Sequence, residues 1–354
     1  MALSLKAKCV VALIVVAAAV YGLRWHFRHP KALRRFSEAR PALGANQSPS
    51  QAQSAGEKAK STRGKPIKQR TSAKCDFANV RYFVLFAGHS RSGHTLVSAL
   101  LDAHPHVVIS NEYDLLKNWY SNSRAKNAAF LTRKNVFDTL YAHAQEDARH
   151  GRGREYSVPG EWAGQCRDGY AHVIGDKKGF ASANFFVDSI FSKLDAVRHL
   201  RDVIGLPFRV IHVIRNPYDN IATQTLRYFD KYYSVKKSGG SSKFDNETAL
   251  IFCIRRYFRL VDGYRNFVQA RLDNFNFLDI HLNDFESDPT STMKRLCDWL
   301  ELDCSKSYVK HCTSIVFTNP SKTRKLVAWS TRAKNLTETM MRKYSFLQRY
   351  IGTF

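Results

Sequence analysis

Acidic residues are scarce in this chain. Its 354 residues include 30 Asp and Glu against 55 Lys and Arg, a formal net charge of +25. The shortage is steepest at the start, where residues 1–74 hold 15 Lys and Arg against Glu38 and Glu57 alone. The remaining 280 residues hold 40 basic against 28 acidic side chains, so the body is basic in its own right. Such a charge favours anionic partners: nucleotides, acidic glycans, acidic peptides or a nucleic acid. No basic stretch is interleaved with aromatics in the manner of single-strand binders, so a nucleic-acid partner is not expected.

C-x-x-C pairs are also missing, and the 13 histidines do not cluster with the cysteines. That excludes a zinc site of the usual spacing. Seven cysteines are present: Cys9, Cys75, Cys166, Cys253, Cys297, Cys304 and Cys312. Setting aside Cys9, which lies in an apolar run, six remain, an even number that suits disulfides in an oxidising compartment. The close trio Cys297, Cys304 and Cys312 can supply one bridge. Cys253 and Cys297 also sit in helical apolar patterns, where plain core thiols fit equally well. Sequons at Asn46, Asn246 and Asn335 occur about as often as chance gives them.

Long apolar runs are absent save one, Cys9–Leu23 (CVVALIVVAAAVYGL), preceded by Lys6 and Lys8. As a helix it spans roughly 22 Å, short of a bilayer core of about 30 Å. A type II signal anchor is expected, with residues 1–8 as a cytosolic tail and 9–23 as the transmembrane segment. A cleavable signal peptide stays open because Ala17, Ala18 and Ala19 offer small residues for cleavage. The polar sequence that follows disfavours a buried core helix. Arg24, Arg28, Lys31, Arg34 and Arg35 outnumber Lys6 and Lys8, so charge alone puts the carboxyl side in the cytosol. Residues 24–74 form a basic stem. From residue 30 onward they have almost no large apolar side chains and cannot offset the cost of ordering.

Folded sequence begins near Cys75. Strand-like runs occur at Arg81–Phe86, Val107–Ser110, Tyr170–Gly175, Phe208–Ile214 and Phe277–Leu282. Helical patterns occupy 95–103, 126–147, 184–202, 217–229, 245–273 and 289–301. This alternation indicates an α/β fold, a parallel sheet flanked by helices. No internal repeat interrupts it, and residues 75–354 read as one domain.

Two segments carry anion chemistry. In FAGHSRSGHTLVSALLDAHP, residues 86–105, a strand ends at Gly88 and a helix starts after Gly93. The turn aims backbone N–H groups at an anion, with Ser90, Ser92 and Thr95 adding hydroxyls and Arg91 a charge. A nucleotide-triphosphate loop would carry Lys where His94 stands. Asp176 is the one candidate for a Mg²⁺-holding acid, and two lysines follow it. In RVIHVIRNPYDNIATQ, residues 209–224, Thr223 comes eight residues after Arg215. A guanidinium at a strand end and a hydroxyl on the next helix can then converge on one phosphate.

Together these segments resemble the sulfotransferases that use 3′-phosphoadenylyl sulfate (PAPS). In that family an R/K-S-G-T-T loop after the first strand holds the 5′-phosphosulfate, and here it reads Arg91-Ser92-Gly93-His94-Thr95. RSGHTLVSALLDAHP looks particularly like the version in protein-tyrosine sulfotransferases and in a broad group of uncharacterised sulfotransferase-domain proteins. The family's second signature, Arg then Ser or Thr eight positions on, binds the 3′-phosphate and matches Arg215 and Thr223. A looser third match is Arg324-Lys325-Leu326 with Trp329, where the family has R-K-G and Trp. The resemblance covers roughly residues 80–350. His94 departs from the family's Thr and leaves that contact open.

The resemblance implies a P-loop-type sulfotransferase fold and a type II Golgi protein with a lumenal enzyme domain. PAPS is the implied donor and 3′-phosphoadenosine 5′-phosphate (PAP) the product. It places a general base at Glu112, with Asp114 as the fallback. It also places cations for the departing phosphate at Lys177 and Arg91. Sulfuryl transfer resembles phosphoryl transfer in its loose in-line geometry, and the singly charged sulfuryl group needs no metal to admit an oxygen nucleophile. The implied acceptor is a hydroxyl or amine on an anionic glycan or an acidic, tyrosine-bearing peptide. Arg152, Arg154 and Trp162, in the long loop 149–169, are candidates for meeting it. A P-loop nucleotide kinase and a polyanion-binding protein that lost the chemistry remain as alternatives.

Overall fold

All seven residues of strand β1 (Tyr82–Gly88) are buried, as a central strand covered on both faces requires. The computed structural model describes residues 75–354 except 151–155, 157, 159–165, 189, 240, 241 and 318–320. The expected anchor and stem lie outside the described residues, as do Arg152, Arg154 and Trp162. Among the described residues, no helix is long and apolar enough to cross a membrane.

The strands β1, β2 (Val107–Asn111), β3 (Val173–Lys177), β4 (Phe208–Ile214) and β5 (Phe275–His281) form one sheet in the order β2-β3-β1-β4-β5. Every pairing is parallel. From β1 the chain crosses toward β2, whereas from β4 it crosses the other way, toward β5. The strand order therefore reverses between β1 and β4, and the carboxyl ends of those strands open the crevice where such sheets bind ligands. Arg91 follows the first of these strands and Arg215 the second.

Helices α1 (His94–Asp102), α2 (Leu115–Arg124), α3 (Arg133–His150), α4 (Gly179–Phe185) and α5 (Ile190–Ile204) precede β4. Between β4 and β5 lie α6 (Pro217–Tyr228), α7 (Tyr232–Lys237) and α8 (Glu247–Gln269). After β5 come α9 (Leu282–Ser287), α10 (Pro289–Trp299), α11 (Lys306–Thr313), a 3₁₀ turn at Thr323–Leu326, α12 (Thr331–Met341) and α13 (Ser345–Gln348).

Alternate residues of β1 feed two cores. Phe83, Leu85 and Ala87 join Trp119, Phe137, Leu200 and Phe267, while Tyr82, Val84 and Phe86 join Leu100, Phe285, Met293 and Leu296. Truncating a buried ring such as Phe83 to Ala would cost about 3–5 kcal/mol. A third core packs α6 and α8 against α12 and α13 through Tyr218, Phe258, Met341 and Leu347. Helices α8 and α4 touch backbone to side: a Cβ on Gly263 would sit 2.1 Å from the carbonyl oxygen of Ala183. Only glycine fits there.

Several elements differ from the sequence pattern. The expected helix 126–147 begins only at Arg133, and the separate α2 precedes it. Between them Lys126 takes a positive φ of 53°, and Asn127 donates to the side chain of Asn122. Helix α2 buries Leu115, Leu116 and Trp119 alone, so its polar remainder hid it from periodicity. The expected 184–202 helix is divided into α4 and α5. Cysteine reading is corrected in one place: Cys297 is no core thiol but pairs with Cys304, while Cys253 and Cys312 are buried thiols outside any disulfide. A second bridge, Cys75–Cys166, closes a separation of 91 residues. A loop of that size contributes on the order of 4 kcal/mol in the chain-entropy account.

Candidate functional site

The turn after β1 is built to leave room. Gly88 and Gly93 have φ of 137° and 96°, and Arg91 itself is left-handed at 68°. A Cβ on Gly93 would lie 2.8 Å from Leu282. Helix α1 begins at His94 with no capping side chain, so its first N–H groups face outward with no intrahelical acceptor. Around them stand the hydroxyls of Ser92 and Thr95. The Arg91 side chain is exposed and has no carboxylate partner among the described residues. This is a donor-rich cradle, the chemistry a phosphate or sulfate requires.

Beside it, Glu112 directly follows β2, with a positive φ of 73°. Lys177 Nζ lies 2.5 Å from its Oε1 and Lys178 Nζ 2.7 Å from its Oε2. Lys177 also donates to Thr95 Oγ1 at 3.3 Å, which ties the carboxylate to the cradle. Burial would lift the Glu112 carboxyl, but Lys177 and Lys178 outweigh it and hold the group below the usual carboxylate range. Burial in turn pulls the 1 % exposed Lys177 ammonium below the usual lysine value.

His94 sits between the two groups. Its Nδ1 is 3.1 Å from Ser92 Oγ and its Nε2 3.9 Å from Glu112. Burial, reinforced by Lys177, lowers the imidazole to about 4. It is therefore neutral at neutral pH.

Asp176 does something other than holding a metal. Its Oδ1 accepts from the N–H of Tyr113 at 3.2 Å and its Oδ2 from that of Leu115 at 2.8 Å. It thereby pins the strained turn that carries Glu112 and starts α2. Burial pushes its carboxyl up to about 7.

At the end of β4, Asn216 caps α6 by accepting from Tyr218 N at 3.0 Å, with Pro217 at the first helical position. That fixes the offset between Arg215 and Thr223. Arg215 Nη1 lies 3.2 Å from Thr223 Oγ1 and 3.3 Å from the carbonyl of Arg91, while Nη2 reaches the carbonyl of Ser321 at 2.8 Å and Thr323 Oγ1 at 3.3 Å. The two motifs adjoin.

The profile of the sulfotransferase family matches residues 84–306, more than half of the chain. The chain belongs to the sulfotransferase family. No curated protein matches it in sequence. Among solved structures it is similar to a sulfotransferase of Mycobacterium avium, at 12% identity over 76% of this chain and 78% of that one, with a TM-score of 0.40. The sulfotransferase domain of the Synechococcus olefin synthase shares 15% identity over 78% and 99% of the two chains, with a TM-score of 0.42. A mouse sulfotransferase complexed with PAP shares 11% over 78% and 89%, with a TM-score of 0.39. The sulfotransferase is an enzyme, and its general chemistry is sulfuryl transfer from PAPS.

In this sulfotransferase, Arg91, Ser92, Gly93, His94, Thr95, Glu112, Lys177, Arg215 and Thr223 lie at or just beyond the carboxyl ends of the strands. Arg324 and Lys325 fall beyond the family match, and the structure gives Arg324 another partner. Its Nε lies 3.0 Å and its Nη2 2.7 Å from the two carboxylate oxygens of Asp219, and its Nη1 is closed off by the carbonyl of Thr353. Through these contacts Arg324 holds the 3₁₀ turn in place. Lys325 is exposed, and Trp329 packs edge-on against Tyr218. Just before this segment, the carbonyl of Ser321 and the hydroxyl of Thr323 reach Arg215.

Sequence reasoning also missed Lys178 as a partner of Glu112, and Glu286 on α9. Burial pushes the Glu286 carboxyl up to about 7 against the opposing charge of Arg215. His89 was passed over too. It lies buried in the turn, stacks on Tyr257 at 4.0 Å between centroids and bonds that residue's carbonyl at 2.9 Å. No spacing rule links His89 to a helix that lies 168 residues away.

Proposed function

We propose that this sulfotransferase moves the sulfuryl group of PAPS to a hydroxyl or amine of an anionic glycan or an acidic, tyrosine-bearing peptide. The observation that carries the reading is the junction of the two motifs. Arg215, paired with Thr223, meets the Arg91 carbonyl, while Glu112, Lys177 and Thr95 converge beside the cradle. A 3′,5′-bisphosphorylated nucleotide needs cations at both ends, and this crevice offers them.

The donor supplies a sulfur–oxygen bond whose cleavage releases PAP. Glu112 takes the acceptor proton as the new oxygen–sulfur bond forms. Lys177, Arg91 and the N–H groups of α1 meet the negative charge that grows on the departing phosphate oxygen. The pairing of Lys177 with Glu112 keeps the base ionised and the ammonium oriented before substrates arrive. Engagement of Lys177 by an anion frees Glu112 from part of that attraction, which raises its basicity at the moment it is needed. His94, neutral and bonded to Ser92, orients the cradle hydroxyl without adding charge. Arg324 acts through Thr323, as a positioning residue for the 3′-phosphate side.

The reading extends to a lumenal Golgi enzyme anchored through residues 9–23. The two disulfides support it, since such bridges persist in oxidising compartments. Thermal denaturation of the full chain with PAP or with ATP–Mg²⁺ tests the donor assignment. A ligand at one hundred times its Kd adds about 2.7 kcal/mol of stability. PAP should raise the melting temperature and ATP–Mg²⁺ should leave it unchanged. The reverse pattern would move the chain to nucleotide kinase chemistry.

A further inference from the structure

The helices between β4 and β5 carry two arginines with no carboxylate partner among the described residues. Arg256, on α8, lies 5.5 Å from the ring centroids of both Phe180 and Tyr228. Arg227, at the end of α6, lies 3.8 Å over Tyr232 and 4.5 Å over Tyr233, and its Nε is buried with no acceptor. Each guanidinium sits against two aromatic rings. Held this way a guanidinium loses mobility but keeps N–H edges for an oxyanion. Several of the rings are themselves in solvent, Tyr228 at 42% and Tyr233 at 71% exposure.

The patch begins at the reacting groups. Phe180 stands on α4, whose first residue, Gly179, packs against His94 so closely that a Cβ there would be 3.2 Å from the ring. Arg256 neighbours Tyr257, which stacks on His89 of the cradle. The seat of α4 on α8 at Gly263 fixes Phe180 relative to Arg256. Lys178 precedes α4, whose Phe180 forms one row with Arg256 and Tyr228, and Arg227 with Tyr232 stands at the same end of α6 as Tyr228.

We propose that this surface is the acceptor platform and that its occupant is an acidic polysaccharide chain, a deduction that rests on the transferase reading above. Charge complementarity sets the sign of the ligand, and the alternation of ring and guanidinium sets its form. Pyranose rings present an apolar C–H face of aromatic size, and a uronate or sulfate on each repeat meets the next arginine. An extended acidic peptide fits less well. The platform is made of helices, whose interior backbone groups are already paired, so it offers no ladder for a peptide main chain. Recognition there is by side chains alone.

Binding of fluorescein-labelled unsulfated chondroitin to the full chain, at fixed salt, tests the platform, with an acid-flanked tyrosine peptide as rival ligand. Replacing Arg227 and Arg256 together by Ala should weaken chondroitin at least about tenfold, as loss of charge-assisted hydrogen bonds does. Tyr228→Ala removes no charge and should still weaken it by about fivefold, within the range for lost stacking. Replacing Lys306 and Lys310 by Ala removes the same charge from α11 and should change affinity by less than about twofold. Equal losses from the two charge pairs, or no loss in Tyr228→Ala, would overturn the platform. So would a peptide whose binding the platform variants abolish while chondroitin is unaffected. A parallel PAP titration separates the two readings. Failure of PAP to bind, with chondroitin still dependent on Tyr228, would sink the donor assignment and leave the platform standing.

Discussion

The guanidinium of Arg215 reaches the main-chain carbonyl of Arg91 at 3.3 Å, although 124 residues separate them. Arg91 is left-handed there, so its carbonyl turns toward β4 and its side chain is free to point into solvent. One contact thereby joins the two anion-binding motifs across the β1–β4 crevice. The predictions below follow from that junction and from the groups held around it.

Glu112→Gln should lower kcat by about a hundredfold to ten-thousandfold, the usual contribution of a general base. Affinity for PAP should stay the same or rise, because the substitution leaves Lys177 and Lys178 without their counter-charge. Single-turnover kinetics with labelled PAPS, beside a PAP titration, reads both. Retained turnover would move the base to another group, Asp114 first.

The Asp219–Arg324 pair is buried on both sides, at 6% and 10% side-chain exposure. Arg324→Ala strands a carboxylate and should cost roughly 3–5 kcal/mol, while an apolar replacement of both partners should cost much less. Urea unfolding gives the free energies, and an unchanged slope would show that the unfolded state is not the cause. PAP affinity of Arg324→Lys should fall less than that of Arg215→Lys, since Arg324 acts through Thr323.

Two buried groups make stability depend on pH with opposite signs. His94 titrates at about 4 in the folded chain against 6.5 unfolded. The unfolded state therefore binds its proton first, and stability falls as pH drops from 6.5 toward 4. Asp176 titrates at about 7 against 3.8, so its contribution is present below 3.8 and is lost as pH rises to about 7. His94→Gln should flatten the acid limb of a stability profile and Asp176→Asn the rise in cost toward neutrality. Urea midpoints between pH 4 and 7.5 read both, and parallel profiles for all three proteins would refute the account.

The bridge Cys75–Cys166 should be felt in stability and not in chemistry. Cys166→Ser with Cys75→Ser should lose on the order of 4 kcal/mol while kcat stays within about twofold, since neither residue faces the cradle. A comparable fall in kcat for the folded variant would show that the loop before β3 takes part in turnover.

The sheet was legible in the sequence because parallel strands buried on both faces read as unbroken apolar runs. Arg215 and Thr223 were legible for a local reason as well: a strand end, Asn216 as cap and Pro217 as first helical residue fix their offset. Arg324 was not. Its residue type suited a phosphate, and nothing in the local pattern points to Asp219, 105 positions earlier. The same limit hid Asp176, whose donors are two backbone N–H groups far along the chain, those of Tyr113 and Leu115. Helix α2 escaped because a polar segment with three buried residues has too little periodicity to be seen. At the site, long-range pairing separates what was read from what was missed.

Calorimetric titration with 3′-AMP, 5′-AMP and PAP tests the bridging nucleotide most directly, applied to the wild type, Arg91→Ala and Arg215→Ala. The account predicts a crossed pattern: Arg215→Ala weakens 3′-AMP by at least about tenfold and spares 5′-AMP, Arg91→Ala does the opposite, and PAP loses affinity in both. If both variants weaken the same monophosphate, or PAP binds no better than either one, the two cations do not hold the two ends of one nucleotide.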